Sequence, residues 1–144
     1  MSDYHADFPS TFAAVVVARR ALVAFARHAG FAADDVADIE SALGEALANA
    51  AEHGHRPGSR FSVDALISAG RLVIEIRDDG RGFDISRVDP TAGRSDSPRG
   101  FGIFIMRALM DSIEFVDRGR CIRLIKALPP TASGEGAAAA DVSA

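Results

Sequence analysis

The chain has 144 residues with 20 acidic and 16 basic side chains, which give a net charge of −4. Its 48% apolar content is that of a globular protein, and no apolar stretch approaches the roughly 20 residues that span a bilayer. Lys and Arg form no continuous stripe, so nucleic acid is a poor candidate partner. One cysteine excludes an internal disulfide, and the segment 1–7 has neither a basic leader nor an apolar signal core. We expect a single cytoplasmic domain without a membrane segment.

Two amphipathic helices are predicted in the first part of the chain. Ser10 is suited to cap the first helix, whose apolar residues recur at helical spacing as far as Gly30, a residue type that commonly ends helices. The second helix is predicted from about Ala33 to His53. Leu43 and Leu47 belong to its apolar stripe, and the segment is rich in alanine, a strong helix former.

A β-hairpin is predicted next. Apolar and polar residues alternate at 61–67 and again at 72–77, around a turn at 68–70. The second of these strands leads directly to Asp78. The polar stretch at 84–98 has almost no apolar periodicity and contains prolines and a glycine, which predicts a long mobile loop of the kind that often acts as a functional lid.

The rest of the chain predicts a helix, two strands and a tail. A helical apolar pattern resumes at Ile103, and strands at 113–116 and 122–128 enclose a turn at 117–119. The last residues are mostly Ala, Ser and Gly with a few acids, a composition that cannot build a core. We therefore divide the chain into three parts: a short N-terminal segment at 1–9, a folded domain at 10–128 and a disordered tail at 129–144.

Glu45 and Asn49 form the first chemical candidate. They lie four residues apart in the second predicted helix, so their side chains share one face at the border of its apolar stripe. An amide oxygen suits Mg²⁺, and a carboxylate one turn away is placed to orient or deprotonate a hydroxyl near a terminal phosphate. The alternative is that both are solvated helix residues or members of an interhelical hydrogen-bond network.

Asp78, Gly80 and Gly82 form the second candidate. A carboxylate at the end of a strand that faces an apolar cleft can accept a hydrogen bond from the exocyclic amine of a base. The two glycines permit backbone conformations and a close ligand approach that a Cβ would block. The alternative is an ordinary Asp-Gly turn. Within this segment we favour Asp78 as the binding residue and expect Asp79 to be a solvated neighbour.

Arg99, Gly100 and Gly102 form the third candidate. The two glycines precede an apolar helix, and the free amides and dipole at a helix N-terminus stabilise an anion such as a triphosphate. The predicted loop has no lysine, so phosphate charge would be met by Arg94 or Arg99; the alternative is that Arg99 is solvated. The segment is neither a Walker loop nor a full dinucleotide fingerprint.

The order and spacing of these three segments resemble those of a known superfamily. Residues 45–50 resemble the N box, 78–82 the first glycine box and 100–103 the second glycine box of the gyrase, heat-shock chaperone, histidine kinase and MutL ATPases. Within that superfamily, the short chain, the wording of the N box and the run at 99–111 are similar to the bacterial anti-sigma-factor serine kinases. The resemblance covers about residues 10–128.

The resemblance implies a fold, an activity and a set of site residues. The fold is α+β, a two-layer α/β sandwich of the Bergerat ATP-binding type, with helices on one face of a mixed, mostly antiparallel sheet. The activity is that of a protein-serine kinase and anti-sigma factor, which uses Mg²⁺-ATP to phosphorylate an anti-anti-sigma protein and holds a sigma factor inactive. By the same resemblance Glu45 is the catalytic base, Asn49 a Mg²⁺ ligand and Asp78 the adenine-binding residue, while the glycines shape the pocket. A homodimer is compatible with it.

The chain departs from the family pattern in two places. Family members often carry Thr or Ser after the glycine that precedes the last strand, whereas Arg120 and Cys121 follow Gly119 here. Cys121 lies in an apolar strand pattern, so we expect it to be packed in the core rather than reactive. The segment before Ser10 is short and contains Pro9, so any edge strand there is expected to be reduced.

Two other functions stay open at this point. The first is a non-catalytic ATP-binding module that sequesters a regulatory partner. The second is a detached histidine kinase catalytic domain, which is less favoured because no phosphoacceptor-histidine helix pair precedes the nucleotide boxes.

Overall fold

The computed structural model describes residues 3–53, 57–80 and 98–129. Within this part the chain forms five strands and three helices in the following order: β1 Tyr4–Pro9, α1 Phe12–Ala29, α2 Ala33–His53, β2 Arg60–Ser68, β3 Arg71–Asp78, α3 Pro98–Leu109, β4 Ser112–Val116 and β5 Cys121–Ala127. The strands form one sheet in the spatial order β1-β2-β3-β5-β4, and each described pairing is antiparallel. The α+β expectation is confirmed, although the sheet has no parallel pair among these strands.

Helices α1 and α3 begin at residues different from those that the sequence favoured, whereas α2 spans Ala33–His53 as predicted. Thr11, not Ser10, caps α1, since its Oγ1 accepts the backbone N–H of Ala14 at 3.1 Å. Gly30 ends α1 in the left-handed conformation, with φ of 107°. Helix α3 already begins at Pro98, several residues before the apolar pattern resumes at Ile103. Proline is well tolerated there, because the first helical turn does not use its missing N–H.

The core lies between the three helices and one face of the sheet. Helix α2 is its centre, because it packs against α1 on one side, α3 on the other and β3 beneath. Its residues Leu43 and Leu47 are fully buried, as are Ile74 and Leu124 of the sheet. Burying each such side chain contributes roughly 1.5–3 kcal/mol relative to leaving it exposed. This packing fixes the face of α2 that borders β3 and α3, where Glu45 and Asn49 are located.

The first strand is longer than we expected. Residues Tyr4 to Pro9 pair with the whole length from Ala65 to Arg60, so Pro9 ends β1 rather than preventing it. An edge strand accommodates proline because one side of its backbone needs no ladder partner. The domain boundaries at residues 10 and 128 stay predictions. The predicted loop at 84–98, apart from Pro98, and the tail from residue 130 onwards lie outside the described residues.

None of the described helices combines the length and the hydrophobicity that crossing a membrane requires.

Lys126 joins β5 to the end of α3. Its side chain points to the inner face of the sheet and is only 9% exposed, and its Nζ donates a hydrogen bond of 2.7 Å to the carbonyl oxygen of Leu109. A cation at this position also meets the negative end of the α3 dipole. The contact therefore ties the last turn of α3 to the strand on which that turn rests.

We expect the substitution Lys126→Met to lower the free energy of unfolding by about 1–3 kcal/mol, because the carbonyl of Leu109 then lacks its partner. Urea unfolding of the two proteins measures this difference. The control is Arg107→Ala, which removes an exposed cation from the last turn of the same helix and should change the free energy by less than about 0.5 kcal/mol. Equal effects of the two substitutions would contradict the assignment.

Candidate functional site

A cleft opens where α2, β3 and the turn between β4 and β5 meet. Its cavity volume is only about 10 Å³, room for about one water molecule, so the structure holds this cleft nearly closed. Most of its wall is apolar. Three polar side chains interrupt that wall, those of Asn49, Asp78 and Arg120. The other lining residues are Ala46, Ala50, Ile76, Phe115, Gly119 and Ile122.

Asp78 is the last residue of β3 and is only 7% exposed. The alternation of the strand points its side chain to the inner face, where Ile74 and Ile76 precede it. Its Oδ1 accepts the backbone N–H of Gly80 at 2.7 Å, and its own N–H donates to the carbonyl oxygen of Arg120 at 2.8 Å. The carboxylate is therefore held in the cleft wall by the backbone on both sides.

Asp79 points the other way. It is exposed, and its Oδ2 accepts the backbone N–H of Arg60 at 3.2 Å. The structure thus separates the two acids in the manner that the sequence favoured, with one carboxylate in the cleft and the other at the surface.

Helix α2 supplies Asn49 and Glu45 on the same face, one turn apart. Asn49 is half-buried and lines the cleft opposite Asp78. Glu45 is also half-buried, and its carboxylate lies against α3 at Gly102, where a Cβ would come within 2.9 Å of its Oε1. Gly102 is therefore required for the close approach of the carboxylate to α3. The two side chains face the neighbouring elements of the site rather than open solvent.

The second glycine segment lies inside α3, not before it as we expected. Because the helix begins at Pro98, Arg99 and Gly100 belong to its first turn, where amides have no partner earlier in the helix. Gly102 lies one turn further on and serves instead for the contact with Glu45. An anion site at this helix N-terminus stays a prediction, and of the three predicted residues Arg99 and Gly100 lie in the first turn. Gly82 and Arg94 lie outside the described residues, and so does the side chain of Arg99.

The sequence did not place Arg120 in the cleft. The turn between β4 and β5 contains three consecutive left-handed residues, Asp117, Arg118 and Gly119, with φ of 52°, 58° and 82°. The side chain of Arg120 folds back from this turn, and its Nε donates to the carbonyl oxygen of Gly80 at 2.9 Å. The signal in the sequence that could have revealed this contact is the arginine after Gly119, where family members often carry Thr or Ser.

A larger concavity of about 400 Å³ lies between α1 and α2. Its wall includes the exposed Phe12 and the charged residues Arg19 and Glu52. None of the predicted site residues that the structure describes lines it. We therefore place the functional site in the smaller cleft, where a buried carboxylate and an amide face the same space.

Comparison with known proteins identifies the family. Residues 8–126 match the histidine kinase-like ATPase domain. The chain belongs to this family. The superfamily resemblance inferred from the three boxes is therefore confirmed, and it accounts for the layered fold with an open antiparallel sheet.

The relatives of this chain include proteins named serine-protein kinase RsbW. The serine-protein kinase RsbW of Halalkalibacterium halodurans is 28% identical over 123 residues, which are 79% of this chain and 76% of that protein. The serine-protein kinase RsbW of Bacillus thuringiensis is 26% identical over 122 residues, covering 78% and 76%. A solved structure of the RsbU and RsbW domains of a Mycobacterium tuberculosis protein has a TM-score of 0.59 at 19% identity. It covers 87% of this chain but only 31% of the solved one, and this likeness concerns the fold.

Cys121 lies beside the site and is 1% exposed. Burial raises the pKa of its thiol above the ordinary value, which lowers the fraction of thiolate at a given pH. As the chain contains a single cysteine, a thiol reagent reports on this position alone. The side chain is packed, as the sequence predicted.

We expect Cys121 in the folded protein to react with a disulfide reagent such as DTNB at least about tenfold more slowly than in guanidinium chloride, since only opening of the sheet exposes it. The absorbance of the released thiolate at pH 8 measures both rates. Equal rates with and without denaturant would show that the thiol is accessible in the folded state.

Proposed function

We propose that this chain is an ATP-dependent protein-serine kinase that acts as an anti-sigma factor in a partner-switching system. The observation that carries the proposal is the shared cleft of Asn49 and Asp78, with the Glu45 carboxylate one helical turn away beside α3. Membership of the ATPase family and the relatives named serine-protein kinase support it.

The residues that line the cleft suit the base of ATP, and the cleft would have to widen to admit the ring. A purine ring would lie between the apolar side chains of Ile76, Phe115 and Ile122, and its exocyclic amine would donate to the carboxylate of Asp78. A buried carboxylate that meets such a donor favours bases that carry it, because a base without an exocyclic amine forgoes this hydrogen bond. Asp78 would thus supply both affinity and the preference for adenine.

Asn49 is suited to hold Mg²⁺. Its amide oxygen is one hard ligand at the cleft, and Mg²⁺ normally completes its shell with waters and phosphate oxygens. When bound, the ion neutralises charge that develops on the transferred phosphoryl group. The phosphates would extend from the cleft toward the first turn of α3, where the amides of Arg99 and Gly100 add further donors.

Glu45 is the proposed general base. Its carboxylate would accept the proton of the substrate serine hydroxyl while the serine oxygen attacks the γ-phosphorus and the bond to the ADP oxygen breaks. The contact with Gly102 holds the carboxylate next to the helix whose N-terminus would meet the phosphates. The products are phosphoserine and ADP, and the proton stays on Glu45 until solvent removes it.

The proposed partners follow from the family resemblance. The serine substrate belongs to an anti-anti-sigma protein, and the sequestered partner is a sigma factor. A phosphate on the substrate adds about −2 charge to a docking surface and weakens that contact, which frees the kinase to bind the sigma factor. We propose that this exchange takes place in the cytoplasm.

A non-catalytic ATP-binding module is the second candidate. The observation in its favour is Arg120, which occupies part of the cleft wall where the family pattern has a small hydroxyl residue. The half-buried Glu45 beside α3 favours the enzyme, because a pure binding module would not require a carboxylate at that position.

We expect Glu45→Ala to reduce phosphoryl transfer at least about a hundredfold while ATP binding stays within about twofold of wild type. By contrast, Asp78→Asn should weaken ATP binding itself. The measurement uses radiolabelled ATP, a purified anti-anti-sigma protein, and a separate binding titration.

Three outcomes of that experiment separate the functions. Nucleotide binding without any phosphoserine would favour the non-catalytic module. An acid-labile product on a histidine of another protein would favour the detached histidine kinase domain. Unchanged transfer by the Glu45 variant would remove the general-base assignment while leaving the kinase proposal intact.

We expect Gly102→Ala to lower the transfer rate by about tenfold or more without lowering stability. The new Cβ displaces the Glu45 carboxylate, and a misplacement of about 1 Å can cost up to a hundredfold in rate. Alanine meanwhile favours the helix by about 1 kcal/mol over glycine. Initial rates and urea unfolding measure the two effects.

Gly44→Ala is the matched control for this substitution. Gly44 also lies in a helix, but a Cβ there makes only an ordinary contact at 3.5 Å with Nη1 of Arg19. This variant should gain stability and keep its transfer rate. A loss of transfer as large as that of Gly102→Ala would argue against a specific effect on Glu45.

A further inference from the structure

Arg120 connects the two sides of the cleft wall. Its Nε donates to the carbonyl oxygen of Gly80 at 2.9 Å. Its Nη1 donates to Oδ1 of Asp117 at 3.2 Å and lies 3.5 Å from the carbonyl oxygen of the same residue. One guanidinium thus bonds the segment that follows β3 and the turn between β4 and β5 at the same time.

Asp117 closes this set of contacts into a ring. Its second carboxylate oxygen, Oδ2, accepts Nη1 of Arg77 at 3.0 Å, and Arg77 directly precedes Asp78 in β3. The turn is therefore fixed to β3 on one side through Arg77 and on the other through Gly80. Asp117 holds its left-handed conformation, with φ of 52°, in the middle of this ring.

Gly80 is the link between this ring and the carboxylate of Asp78. Its N–H donates to Oδ1 of Asp78 at 2.7 Å, while its carbonyl oxygen accepts the bond from Arg120. Gly80 is buried, so its carbonyl would be costly to leave without a partner. The position of the Asp78 carboxylate in the cleft therefore depends on Gly80, and that of Gly80 depends on Arg120.

We propose that Arg120 is a positioning residue for nucleotide binding, which holds Gly80 against the turn between β4 and β5 and so presents the Asp78 carboxylate to the base. The inference rests on the proposed nucleotide site. Arg120 would act on base binding through the backbone of Gly80. Neither Asp78 nor Gly80 fulfils this role alone.

The fork of the guanidinium is essential to this function. Nε and Nη1 are fixed in one plane and reach two acceptors in different segments at the same time. A lysine keeps the charge, but its single ammonium at the end of a flexible stem does not reproduce that geometry. If Arg120 only attracted the triphosphate by its positive charge, a lysine would keep that effect. If Arg120 positions Gly80, a lysine would lose it.

The test compares Arg120→Gln and Arg120→Lys with wild type in the full chain. The affinity of each for ATP and for ADP is measured by competition against a fluorescent ADP derivative. We expect both variants to lose about tenfold in affinity, the effect of one lost charge-assisted hydrogen bond on a bound group, and to lose it equally for ATP and ADP. Transfer at saturating ATP should change by less than about twofold, so KM rises while kcat is kept.

A measurement without nucleotide reports on the tether directly. The backbone amides of Gly80 and Asp78 should exchange with deuterium at least about tenfold faster in both variants, since the segment loses its bond to the turn. Asp117→Asn, which keeps a residue type that tolerates a left-handed backbone, removes the charged partner of Nη1 and should give a smaller change in the same direction. Arg71→Ala, an exposed arginine at the opposite end of β3, is the control and should change neither quantity.

The outcomes are distinct. Wild-type affinity in Arg120→Lys would overturn the inference. A loss of affinity for ATP but not for ADP would also overturn it, because it would place Arg120 at the phosphates. Variants that bind like wild type would overturn it while leaving the proposed function intact. A wild-type chain that binds neither nucleotide would remove the proposed function and this inference together.

Discussion

The burial of α2 on three sides is the constraint on which the site depends. This helix packs against α1, α3 and β3, and its stripe from Ala42 to Ala50 has no freedom to rotate without opening the core. Glu45 and Asn49 lie at the edge of that stripe, so their positions are set by packing that neither residue contributes to strongly. Substituting Glu45 or Asn49 should therefore disturb the position of α2 less than substituting the alanines and leucines behind them, whatever it does to activity.

Periodicity in the sequence was enough to predict most helices and strands, and also the inward direction of Asp78. The pattern of Leu43 and Leu47 predicted α2, and the alternation through Ile74 and Ile76 showed that Asp78 would end a strand with its side chain inward. The start of α3 was missed because residues 98–102 have no apolar period, and a proline there looks like a loop signal although it also suits a first helical turn. Arg120 was missed for a different reason, since its direction follows from three left-handed residues that only the folded turn reveals.

The two faces of the sheet differ in polarity. The inner face is apolar up to Asp78, whereas the outer face carries ion pairs, among them Arg123 with Glu75 at 2.7 Å and with Glu114 at 2.6 Å. These hydrogen bonds raise the pKa of Arg123 above its ordinary value. Such half-exposed pairs contribute little to stability, typically about 0–1 kcal/mol each, but they keep the uncovered face polar. Among the described residues, the buried charged side chains are those of Asp78 at the end of β3 and Lys126 near the end of β5.

The burial of Lys126 has a consequence for how this protein meets anions. It is the only lysine in the 144 residues, and its ammonium is bound to the carbonyl of Leu109 inside the fold. The remaining permanent side-chain cations are guanidinium groups, which are planar and can bind an oxyanion through two parallel hydrogen bonds. Lysine acetylation therefore has no exposed target among the described residues, and an anion that meets the described surface is bound by guanidinium groups rather than by an ammonium.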